Sequence, residues 1–199
     1  MFASQVVRTI LLLGLLMAPT ACTIASYGPE VIPPAASVQK EGIVRFFYFT
    51  GVARDPNAKE NPLPVEAKLL QEILENEAGF AAAIVSTPQL TSGIHLNIYE
   101  TSKEPSDATR FFCVLSAVTL SALPCYSETV GYLVQYDLFV DNELKKTYRY
   151  EINKTLGQWI GLLPFGWVNE LTVDYNTAFK GTVYRFLRDS QADGYLPSH

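Results

Sequence analysis

Histidine, cysteine and methionine are scarce in this chain, with two, three and two among 199 residues. Histidine occurs only at His95 and His199, so neither a histidine-rich metal site nor a Cys–His catalytic pair can be read from the spacing. Cys22, Cys113 and Cys125 lie too far apart for a Cys-x-x-Cys ligand or redox motif. No Gly-x-Ser-x-Gly elbow and no phosphate-binding glycine loop occurs. Carboxylates such as Asp137, Glu151 and Asp174 are present, but their spacing selects no pair. Lys and Arg form no cluster and the net charge is −5, which argues against a nucleic-acid partner. The expectation is a protein without catalysis, cofactor or metal.

What the chain does have begins at its start. Residues 9–18 are an uncharged, apolar run preceded by Arg8, the pattern of an export signal. The run is too short to cross a hydrocarbon core of about 30 Å as a helix. Thr20 and Ala21 are small, and Cys22 follows. Here the chain resembles the signal of bacterial lipoproteins, in which an invariant cysteine after the cut becomes the new N-terminus and is acylated. That family prefers Leu three residues before the cysteine, where this chain has Pro19. The resemblance implies a signal peptide over 1–21 and a lipid on Cys22, hence attachment to a membrane. Thr23 stands where Asp would signal retention in the inner membrane, so the implied location is the outer membrane, facing the periplasm. An ordinary cut after Ala21 or Ala25 remains open, and it leaves Cys22 without a role. Residues 22–40 hold Pro29, Pro33 and Pro34 and show no periodicity, which predicts a flexible tether.

Residues 41–199 are of a size for one domain, and 48% hydrophobic content supplies a core. Residues 42–52 read as a strand, and 53–64 as a polar loop in which Asp55, Asn57 and Glu60 match a calcium loop too poorly to count as one. Residues 65–79 form an amphipathic helix started by Pro64 and stopped by Gly79. Two short strands follow over 80–86 and 94–101, and alternation places His95 outward from Leu96 and Ile98. Residues 131–152 are a hairpin turning at Asp141-Asn142, and 168–190 a long amphipathic helix. The class is therefore α+β, with a single mixed or antiparallel sheet, packed amphipathic helices and two short apolar segments flanking the hairpin.

Phe49, Thr50 and Gly51, then a helix, then Gly79 and Phe80 leading into a strand, give a second likeness. Over residues 43–99 the chain resembles the TolB amino-terminal domain and the curli-secretion lipoprotein. That resemblance implies a periplasmic module that binds other envelope proteins and has no catalytic residues.

The two apolar segments are residues 111–127 and 155–169, each free of charge. They lead into and out of the same end of the hairpin, because antiparallel pairing brings its outer ends together. Phe111, Phe112, Leu120, Leu123, Trp159, Ile160, Leu163, Phe165 and Trp167 are candidates for membrane contact, the tryptophans being suited to the membrane–water boundary. Burial of both segments in the core is the alternative. Cys113 and Cys125 are a candidate disulfide in an exported protein, two buried thiols being the other reading. The functional expectation is a non-catalytic, lipid-anchored envelope protein that serves as an adaptor or assembly factor for another envelope protein. A membrane-active oligomeric component using 111–127 and 155–169 is a second possibility, and an unrecognised hydrolase a third.

Overall fold

The computed structural model describes residues 23–28, 42–49, 64–86 and 92–196. Cys22, the leader, most of the expected tether and the loop with Asp55, Asn57 and Glu60 lie outside the described residues.

The protein is α+β, with six strands in one mixed sheet and three α-helices among the described residues. In chain order these are β1 (Thr23–Gly28), β2 (Ile43–Phe49), α1 (Val65–Asn76), β3 (Ala82–Val85), β4 (Ile94–Lys103), α2 (Asp107–Val118), β5 (Cys125–Val140) and β6 (Glu143–Gln158). A 3₁₀-helical segment, Ile160–Leu171, and α3, Tyr175–Ala192, complete it. The strand order is β1-β6-β5-β4-β2-β3. β2 runs parallel to both β3 and β4, with Val44 opposite Ile94 and Phe46 opposite Leu96. β5 and β6 form the hairpin, and Asp141 and Asn142 turn it with φ of 51° and 69°, values that short polar residues tolerate.

The chain divides into two compact units. The described residues within 28–102, 131–152 and 174–199 make a core unit, and those within 23–27, 103–130 and 153–173 make a second, apolar unit. β5 and β6 contribute to both.

The core unit follows from periodicity. Val44, Phe46 and Tyr48 of β2 alternate with less buried residues, and Leu96 and Ile98 of β4 share their face. α1 buries Ala67, Leu70, Ile73 and Leu74, which recur at helical spacing, and packs on α3 and β3. α3 starts at Tyr175, about two turns later than the sequence pattern over 168–190 suggests. Asp174 caps it by accepting a 2.7 Å hydrogen bond from Thr177 N, and Leu171 falls in the 3₁₀ segment instead. The ring of Phe186 lies flat on Tyr136, with centroids 4.8 Å apart. The Tyr136 hydroxyl is satisfied by Thr182 at 2.7 Å.

Two readings need correction here. His95 was placed outward by alternation, and it is on the opposite face from Leu96; yet it is only 1% exposed. Its Nε2 meets Asn97 Oδ1 at 2.9 Å and its ring lies edge-on to Phe139. That face of β4 is covered too, so alternation marks a change of face and not exposure. The stretch from Thr23 to Gly28, expected as the start of a tether, is an edge strand. Its Thr, Ile and Tyr before a Gly-Pro pair in the sequence are the signal that periodicity alone did not raise.

Candidate functional site

The apolar unit is built from the two uncharged segments. In α2, Ser106 caps the helix by accepting from Thr109 N at 3.2 Å, and Asp107 lies in the first turn, where the helix dipole favours a negative charge. The helix therefore starts before the apolar run begins. It buries only Ser116 among its twelve residues. Phe111, Phe112, Val114 and Val118 are exposed, as are Leu120 and Leu123 just beyond it.

Leu120 and Ser121 end the helix with φ of 52° and 63°. A leucine with left-handed backbone costs on the order of 1 kcal/mol, so something must hold it. The turn is pinned from both sides. Ser121 N donates to Ser116 O at 2.7 Å, and Ser121 O accepts from Ile160 N at 2.7 Å. Gln158 Nε2 donates to Ser121 Oγ at 2.9 Å. The end of the first apolar segment is thus bonded to the start of the 3₁₀ segment. Cys113 and Cys125 are joined as a disulfide, with Cα atoms 5.0 Å apart, which ties the middle of α2 to the first residue of β5.

The 3₁₀ segment carries Trp159 immediately before it and Ile160, Phe165, Trp167 and Leu171 within it, all exposed. The side chain of Leu163 lies outside the described residues. Pro164 lies inside the segment and has no N–H to donate, which suits successive tight turns better than a regular helix. Gly161 lets the Trp159 ring lie close to the backbone: a Cβ there would sit 2.5 Å from that ring, which would have to shift.

Asn169, in the last turn of this segment, holds β1. Its Nδ2 donates to Thr23 O at 2.7 Å and its Oδ1 accepts from Ala25 N at 3.0 Å. Tyr27 N donates to Val173 O at 3.0 Å, and the Lys154 ammonium lies 5.5 Å from the centroid of the Tyr27 ring. Nothing in the sequence marked Asn169, because its partners are backbone groups of a strand 144 or more residues away.

The resulting surface is unlike an ordinary monomer's. The exposed large side chains of the two segments are between 44% and 75% accessible. No charge interrupts residues 111–127 or 155–169. Isolated exposed apolar residues are common, but these are gathered in two chargeless segments of one unit.

Several buried polar groups of the core unit are bonded to one another, although His95 Nδ1 has no hydrogen-bond partner among the described residues. Glu100 accepts hydrogen bonds from the hydroxyls of Tyr48 and, at 2.6 Å, Tyr175. Burial, followed by proximity to Glu100, raises both phenols well above their ordinary range. Tyr150 donates to Asp189 at 2.9 Å, and Tyr148 and Lys146 both reach Asp193 at 2.6 Å. Among the described residues no three His, Cys, Asp or Glu gather as a metal site would require, and no helix is long and apolar enough to cross a membrane.

No protein-family model matches the chain, and no curated protein matches it. A solved structure, the PelC dodecamer from Paraburkholderia phytofirmans, is similar over 76% of this chain and 98% of that one, at 11% identity and a TM-score of 0.27.

Proposed function

We propose that this protein is a non-catalytic, lipid-anchored component of the bacterial cell envelope, facing the periplasm, whose apolar unit rests on the leaflet that holds its anchor. The observation that carries this reading is the bonding of Asn169 to β1. Thr23 follows Cys22 directly, with consecutive Cα atoms about 3.8 Å apart, and Thr23 O is held by the segment that carries Phe165 and Trp167. On this reading, acyl chains on Cys22 would join the chain one residue before the strand that belongs to the same unit as the chargeless segments 111–127 and 155–169. Lipid, rather than water, is the medium in which the exposed apolar surface of those segments is stable. The anchor and the surface reinforce each other, since a second signal turns marginal membrane binding into stable attachment.

In this reading the core unit serves as the adaptor. β3 is the terminal strand of the sheet and exposes Ile84 and Val85, so it offers backbone groups and apolar side chains to a partner strand. Oligomers formed on or in the bilayer through residues 111–127 and 155–169 are a second reading, favoured by the same exposed side chains.

Intact mass and membrane fractionation of the full chain expressed in a bacterium, beside Cys22→Ser, test the anchor. Wild type is expected as an acylated chain beginning at Cys22 in the membrane fraction, and the variant as an uncleaved, unacylated precursor. A mature chain that begins elsewhere and stays in the soluble fraction overturns the reading.

A further inference from the structure

The apolar unit also contains a groove of about 310 Å³, at the small end of the range for ligand sites. α2 supplies one wall through Arg110, Cys113, Val114 and Ala117, and β5 and β6 supply the other through Val130 and Leu156. The spacing of 110, 113, 114 and 117 is one stripe of a helix. Val114 also stands three residues from Phe111 and four from Val118, so the groove opens beside the exposed apolar face of the same helix.

Three polar side chains interrupt the groove's apolar lining, and the hydroxyl of one, Thr109, is bonded to Ser106 Oγ at 2.9 Å. Arg110 lies in its wall and has Glu104 as an ion-pair partner at 3.4 Å, with both side chains more than half exposed. A pair that open to water is weak and readily exchanged. Ser127 also lines the groove; it is buried, and its Oγ has no hydrogen-bond partner among the described residues. A buried hydroxyl without a partner is costly, and an ester oxygen entering the groove would relieve it. No carboxylate occurs between Arg110 and Glu128 to compete for the guanidinium from within the segment.

We infer that this groove takes one acyl chain of an anionic phospholipid from the leaflet on which the apolar unit rests, with Arg110 holding the headgroup phosphate. The inference rests on the membrane reading above and names the lipid that the surface selects. A guanidinium suits a phosphate because its planar fork donates two parallel hydrogen bonds. An acyl chain suits the remainder because, apart from the Thr109 hydroxyl, the walls are formed by Pro105, Val114, Ala117, Val130, Leu156 and the disulfide.

The test uses the full-length acylated protein in vesicles that contain either phosphatidylglycerol or phosphatidylcholine with a photoactivatable diazirine in the acyl chain. Labelled peptides are located by mass spectrometry. Residues 109–117 are expected to label from phosphatidylglycerol about fivefold more than from phosphatidylcholine, the ratio expected for one surface cation. Arg110→Gln, a change at an exposed side chain, should abolish that preference. Ala117→Trp fills the groove and should remove labelling of 109–117 while leaving labelling of 159–171 intact. Labelling of 159–171 with none at 109–117 overturns the groove and spares the membrane reading. Absence of label from both regions overturns both. Equal labelling of 109–117 by the two lipids, unchanged in Arg110→Gln, removes the headgroup assignment.

Discussion

At the scale of single residues, Asn169 replaces what a neighbouring strand would provide. Its amide satisfies one acceptor and one donor on β1, and both partners are exposed. Asn169→Ala should leave global stability nearly unchanged, because each net hydrogen bond contributes only about 1 kcal/mol. It should nevertheless speed amide exchange at Thr23 to Tyr27, which hydrogen–deuterium exchange reads directly. Asp174 behaves differently. The Thr177 side chain and backbone N–H lower its carboxyl below the usual range, so its contribution is present above the unfolded pKa and is lost as pH falls through the lower folded value. Asp174→Ala should cost about 1 kcal/mol at neutral pH as a lost cap, and the gap from wild type should close in acid. The tyrosines give the opposite dependence. Burial raises Tyr48, Tyr136 and Tyr175 above their unfolded value, so the folded state holds protons that the unfolded state releases. Their contribution to stability should be level below about pH 10 and fall as pH rises beyond it; chemical denaturation followed at several alkaline pH values checks this.

At the scale of elements, the legible parts were those whose pattern is local. α1 reads from its stripe of Ala67, Leu70, Ile73 and Leu74, and the hairpin from alternation on both sides of Asp141-Asn142. Capping decided the rest. Ser106-Asp107 and Asp174 set where α2 and α3 begin, whereas hydrophobic spacing alone ran the last helix back over Leu171. The apolar segments were legible in composition but not in exposure, because a chargeless run has the same sequence whether it faces a core or a lipid. α2 is the clearest instance. It buries one residue, so the disulfide from Cys113 to Cys125, with the turn at Leu120-Ser121, has to hold it against β5. Closing a loop of this length stabilises by about 2–4 kcal/mol. Cys113→Ser with Cys125→Ser should therefore free the amides of α2 to exchange while those of α1 and α3 remain protected. Equal protection of α2 in both proteins would show that packing alone retains it.

At the scale of the whole molecule, two kinds of surface are combined in one chain. The core unit closes its hydrophobic residues under α1 and α3 and pairs its buried hydroxyls and carboxylates. The apolar unit leaves its largest side chains outside and carries the strand that follows the candidate lipid-bearing cysteine. This asymmetry is what a protein needs if one part is to be solvated by lipid and the other by water. The chain's two tryptophans, Trp159 and Trp167, both belong to the apolar unit, so tryptophan emission reports on that unit alone. The decisive measurement is fluorescence of the acylated protein on vesicles whose lipid chains carry bromine near the headgroup or near the bilayer centre. The account predicts blue-shifted emission, quenched more strongly by the shallow bromines, as expected for indoles at the membrane–water boundary. Emission that stays at the wavelength of water-exposed indole, unquenched by either lipid while the protein remains bound, would contradict it.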